Sequence, residues 1–180
     1  MKKILAILLF LLVIPSVCFG ATLLGVSSAT DDGAISINSY RASRFLCTTT
    51  GTLTSIMAYS GVSTGSAVAA IYSDDAPNNR PLNLLSGDPG SATTITATGW
   101  QTISIGNQVN VTAGTYYWLV LNTPTANLGR YGNSAGAKVA YNNAAWGNFP
   151  AGSSFTAGSD YVIQLRGVGT ISSNALFFNQ

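Results

Sequence analysis

Between residues 21 and 168 short apolar runs recur, some alternating with period two and some continuous, each closed by Gly, Asn, Asp, Ser or Pro. No long stretch carries the 3.6-residue period of an amphipathic helix, and this arrangement is that of an all-β sandwich or barrel. The pattern predicts strands at 34–39, 42–49, 51–60, 66–73, 92–97, 100–105, 108–112, 114–122, 137–142 and 160–168, with an edge strand at 22–26. The strongest is Gly114-Thr115-Tyr116-Tyr117-Trp118-Leu119-Val120-Leu121. Aromatic or β-branched residues stand on both of its faces, so it is expected to be central, with Tyr116, Trp118 and Val120 on one side and Tyr117, Leu119 and Leu121 on the other. Upstream, Ile103 and Ile105 share the face opposite Trp100, as in a half-exposed strand. Residues 72–81 are dense in turn formers and read as a loop leaving the sheet, and Leu82 to Leu85 restores apolar character. Residues 127–158 are rich in Gly, Asn and Ala and read as the longest weakly structured region.

The first twenty residues change the composition that matters. Lys2 and Lys3 precede an apolar stretch from Ile4 to Ile14, then Pro15 and a small-residue site ending Cys18-Phe19-Gly20, the layout of a secretory signal peptide cut after Gly20. A retained anchor and lipidation of Cys18 are the rival readings. A span needs about 20 apolar residues, more than this stretch offers, and Pro15, Ser16 and Val17 are poor company for a lipidated cysteine. No later segment is apolar enough to span. The expected product is secreted, extracellular or held at a cell surface.

Without Lys2 and Lys3 the chain keeps Lys138 and Arg41, Arg44, Arg80, Arg130 and Arg166 against aspartates 31, 32, 74, 75, 88 and 160, a net charge of zero. No cationic cluster is present to displace counterions from phosphates, so nucleic acid is not an expected partner. The mature chain has no histidine, no glutamate and one cysteine, Cys47, so no internal disulfide forms and the usual acids, bases and nucleophiles are missing. A non-catalytic protein is expected, with Cys47 a small buried hydrophobe or, alternatively, one half of an intermolecular disulfide. The 160 residues beyond Gly20 suit one domain over 21–169, followed by an apolar tail or extra edge strand at 170–180.

Four pieces in order, Ile71-Tyr72-Ser73-Asp74-Asp75, Gly99-Trp100-Gln101-Thr102, Ala113-Gly114-Thr115-Tyr116-Tyr117-Trp118-Leu119 and Ser159-Asp160-Tyr161, resemble the secreted bacterial jelly-roll domains of surface and exported proteins, which are similar to carbohydrate-binding β-sandwiches. The resemblance spans about residues 40–168. It implies an antiparallel two-sheet β-sandwich of jelly-roll type and bears more on fold and export than on function.

The late region holds the best binding candidates. Sugar rings present C–H faces to aromatic side chains and hydroxyls to amides and guanidinium groups. Tyr131, Tyr141 and Trp146 supply the rings, Arg130 and Asn143 the hydrogen bonds, with Phe149, Asn133, Asn142 and Asn148 nearby. The competing reading has Trp146 and Phe149 pinning a long loop against the sheets. Asp74 and Asp75, with Asn78 and Asn79, offer oxygens to calcium but too few for six to eight ligands, and serve equally as turn residues. Asp31-Asp32-Gly33 poses the same choice. The tail, ending Ala175-Leu176-Phe177-Phe178-Asn179-Gln180, either folds back or is donated to a neighbouring sheet edge, which makes self-association the alternative to glycan binding.

Overall fold

The computed structural model describes residues 20–35, 38–144 and 146–172. The expected leader, apart from Gly20, and the apolar end of the expected tail lie outside the described residues. The described residues form twelve strands: β1 Ala21–Gly25, β2 Gly33–Ala34, β3 Tyr40–Leu46, β4 Gly51–Ser60, β5 Gly65–Asp75, β6 Arg80–Gly87, β7 Thr93–Ile95, β8 Gly99–Val111, β9 Tyr116–Asn122, β10 Arg130–Asn142, β11 Thr156–Ile163 and β12 Leu165–Ile171. Two single 3-10 turns, Ala76–Asn78 and Gly152–Ser154, interrupt them. The protein is all-β, every pairing between these strands is antiparallel, and no helix among the described residues is long and apolar enough to cross a membrane.

A four-stranded sheet runs β1-β12-β4-β8, and a larger one runs β11-β10-β3-β9-β5-β6, with β2 added to β10 and β7 to β5. The expected central position of the Tyr116–Asn122 strand is met, since β9 lies between β3 and β5. Its alternation divides the two cores. Tyr117, Leu119 and Leu121 join Leu23, Leu53, Ile56, Ile103 and Leu165 of the smaller sheet in the main core, which therefore lies between the sheets. Trp118 and Val120 point the other way and join Tyr40, Tyr72 and Phe155 in a second cluster on the outer face of the larger sheet.

In β4 the buried positions Leu53 and Ile56 are three apart, which breaks the period of two. A bulge between Leu53 and Ser55 restores the phase, so Ile56 and Ala58 face inward again. Residues 99–111 form one strand rather than the expected two: its middle, with Gly106 at φ +80°, leaves β4 and leans on β6. There the Ser86 hydroxyl donates to the Ile105 carbonyl (2.5 Å) and accepts the Asn107 N–H (3.1 Å), tying the two sheets along one side. On the opposite side the expected single strand at 160–168 is broken at Gln164, where the chain passes from one sheet to the other. The Gln164 N–H donates to the Arg130 carbonyl and its own carbonyl accepts the Tyr59 N–H, both at 3.0 Å. Its side-chain amide clasps Thr30 through the Thr30 N–H (3.1 Å) and the Thr30 hydroxyl (3.2 Å).

Candidate functional site

The residues 127–158, expected to be weakly structured, contain the thirteen-residue strand β10 and part of β11. The Gly- and Asn-rich start of β10 is held by pairing rather than by its own propensity: Arg130 and Tyr131 pair with β2, and Tyr131 to Asn133 pair with Ile163 to Tyr161. Between Asn133 and Lys138 the register shifts, with four residues of β10 standing where β11 has one.

A pocket of about 280 Å3 opens beside that irregularity, lined by Ala34, Ile35, Arg41, Tyr131, Asn133 and Tyr161. The rings of Tyr131 and Tyr161 are 5.3 Å apart and inclined at 58°, forming an aromatic wall that is itself packed on the main core. Tyr131 crosses the backbone at Gly33 so closely that a Cβ there would stand 2.5 Å from its hydroxyl oxygen. Asp32 fixes the adjoining turn by accepting the Asn133 N–H at 2.7 Å. Arg41 completes the wall, with its guanidinium carbon 5.0 Å from the centre of the Tyr141 ring, directly opposite it in register.

Tyr131 thus lines the pocket, and Tyr141 reaches it only through Arg41, which stacks on it. The other three candidates go elsewhere. Arg130 is half-buried in an ion pair with Asp31 and closes over Gly61. The Asn143 side-chain oxygen accepts the Ser39 hydroxyl at 3.0 Å. Trp146 belongs to the segment that covers the outer face of the larger sheet, where Tyr40 donates its hydroxyl to the Gly147 carbonyl and Tyr72 donates to that of Pro150, both at 2.8 Å. Phe149 meets Tyr40 edge-on at 5.5 Å, and Phe155 meets Tyr72 at 5.7 Å. Phe149 pins this loop, and Trp146 is half-buried within it. Burial raises the pKa of Tyr72 and of Tyr40, for Tyr40 against the opposing contacts of Asn122 and Gly147.

Each aspartate has a structural partner. Asp74 receives the Trp118 indole N–H (2.7 Å) and two bonds from Arg44 (2.9 and 2.5 Å). Asp75 receives Asn78 (2.8 and 2.9 Å) and Arg80 (3.1 Å), and these, Asn78 first, hold its carboxyl below the usual range. Asp88 accepts the N–H groups of Gly90 and Ser91, and Asp160 accepts that of Gly136, all at 3.1 Å. Any calcium at Asp74 and Asp75 has to displace two arginines. Among the described residues no three acidic, Cys or His side chains converge on a common point. Cys47 is 1% exposed in the main core, and burial raises its pKa.

Sequence reasoning missed Tyr161 and Arg41 as site residues. Tyr161 stands in an ordinary apolar strand, and Arg41 carries no local mark of function, because the feature that unites them is strand register. No protein-family model, curated protein or solved structure matches the chain.

Proposed function

We propose that the protein is an exported, non-catalytic β-sandwich of jelly-roll type that binds extracellular carbohydrate in the Tyr131–Tyr161–Arg41 pocket. The observation that carries this reading is the pocket itself. Two tyrosine rings provide apolar faces and hydroxyls, and Arg41, stacked on Tyr141 instead of paired with a carboxylate, keeps donors for sugar oxygens. Asn133 adds an amide at the rim. Two facing antiparallel sheets and a core between them support the sandwich, and the leader-like segment supports export. A non-catalytic role is supported by the commitment of every aspartate to turns and ion pairs.

Glycan-array screening followed by calorimetry on wild type, Tyr161→Ala and Trp146→Ala tests this assignment. Loss of one stacking ring is expected to weaken binding about tenfold, whereas Trp146→Ala is expected to bind as wild type. Reversal of the two results moves the site to the covering loop, and absence of binding to any glycan removes the reading.

A second reading, assembly through a sheet edge, is favoured by one observation. Edge strand β6 exposes Leu82, Leu84 and Leu85 at 44, 45 and 40%. A chain of no net charge does little to oppose the pairing of such edges. Light scattering after size exclusion separates the readings: a concentration-dependent oligomer that Leu84→Lys abolishes supports assembly, and a strict monomer excludes it.

A further inference from the structure

The outer face of the smaller sheet carries a second concavity, on a different surface and of different chemistry. A groove of about 470 Å3 crosses β1, β12, β4 and β8, and Arg166 is the only charged residue among those that line it. The Arg166 guanidinium carbon lies 3.8 Å from the centre of the Trp100 ring, which is braced edge-on by Tyr59 at 5.7 Å. Stacking fixes the plane of the fork while leaving its terminal N–H groups for a ligand. Its Nε is buried without a hydrogen-bond partner. Three of the five arginines, Arg44, Arg80 and Arg130, are neutralised by Asp74, Asp75 and Asp31, but Arg166 has no such partner among the described residues. Burial accordingly lowers its pKa. Around it, the hydroxyls of Thr22, Ser55, Thr102 and Thr170 make no hydrogen bond to the protein among the described residues.

An oriented, uncompensated guanidinium amid unused hydroxyls is complementary to an oxyanion carried on a polyhydroxylated body. We infer that this groove is a binding site for an acidic saccharide, with Arg166 holding its carboxylate or sulfate and the Thr and Ser hydroxyls meeting its ring oxygens. The inference is independent of the Tyr131 pocket, which lies beside the register shift in the other sheet and binds or fails to bind on its own residues.

Nuclear magnetic resonance titration tests it, with trigalacturonate as the carboxylate probe, a sulfated trisaccharide as the sulfate probe, and maltotriose and inorganic sulfate as comparators. Either acidic trisaccharide is expected to shift the Arg166 Nε–H and the Ser55 and Thr102 amides in a saturable way, and the tighter of the two identifies the oxyanion. Arg166→Gln is expected to weaken binding at least about tenfold, the loss of one charge-assisted contact. Thr102→Glu, at an exposed position that leaves the Arg166–Trp100 stack in place, is expected to abolish binding with the fold retained. Tyr161→Ala is expected to leave these shifts unchanged. Equal binding of maltotriose, equal affinity for bare inorganic sulfate, indifference to Arg166→Gln and Thr102→Glu, or absence of saturable shifts would each overturn the inference. Resonances of Tyr131 and Tyr161 report the first pocket separately in the same spectra.

Discussion

Asp74 shows how much one side chain does in this chain. Its carboxylate, half-buried at the end of β5, gathers Arg44 from β3 and the Trp118 indole from β9, and Arg44 in turn lies 3.9 Å over the Tyr116 ring. Removing the acceptor strands an indole N–H beside a fully buried ring and leaves a guanidinium uncompensated in a region where its side chain is 17% exposed. Asp74→Ala is expected to cost about 2–4 kcal/mol, measured by urea unfolding, with Trp118 fluorescence shifted in the native state. Asp75 next to it has a lowered carboxyl pKa, set first by Asn78. The lowering makes its contribution to stability complete above the ordinary value of 3.8 and lost as pH falls through the depressed folded value. An acid titration of stability is expected to flatten in Asp75→Asn.

The element that most needs support is the covering segment between β10 and β11. It lies over an outer sheet face that would otherwise expose Trp118, Tyr40 and Tyr72, and its attachments are two tyrosine hydroxyls and the ring of Phe149. Phe149→Ala is expected to destabilise the protein by about 2–4 kcal/mol and to raise hydrogen exchange selectively in residues 143–155. Burial raises the pKa of both tyrosines, so their contribution is complete below the ordinary value of 10 and is lost as pH rises. Spectrophotometric titration is expected to show two tyrosines that ionise only as the protein unfolds.

Elements were legible where their own residues decide the outcome. β9 has apolar side chains on both faces, which only a central strand between two covered surfaces accommodates. β4 was read with its observed bounds because Gly51 and Ser60 bracket a strongly β-forming run. β6 was read only as renewed apolar character, since Pro81 stands second in it and its leucines face solvent. The first half of β10 was invisible, because Gly132, Gly136 and the small residues between them have no strand preference; residues 131–133 are held by pairing with β11, and Gly136 takes a left-handed conformation (φ +78°) within the register shift. The site followed the same rule. Tyr131 stood out as an aromatic amid polar residues, while Tyr161 and Arg41 acquire meaning only when β10 aligns β11 on one side and β3 on the other.

At the scale of the whole molecule, the two sheets are fastened by different devices on their two sides. Ser86 bridges β6 to β8 with a single hydroxyl, whereas Gln164 uses both backbone groups and its side chain to hold β4, β10 and the Thr30 segment together. Gln164→Ala leaves the backbone bonds intact but removes an amide that is itself 1% exposed, together with its two hydrogen bonds to the exposed Thr30. It is expected to cost about 1–3 kcal/mol and to speed exchange at Tyr59 and at Gln164 itself, measured by hydrogen exchange with mass spectrometry. Ser86→Ala is expected to loosen only β6 and the middle of β8.

The pairing of the first strand with the last has a mechanical meaning. β1 and β12 are antiparallel neighbours, with Ala21 opposite Gly169, so residues 20 and 172 leave the sheet at the same end. Force applied between these two points loads the ladder one rung at a time, because antiparallel hydrogen bonds lie across the strands, along the line of pull. The β1–β12 seam therefore peels open like a zip instead of resisting as a shear joint. A load carried through residues 20 and 172 yields first at Ala21 and Gly169, before it reaches the core.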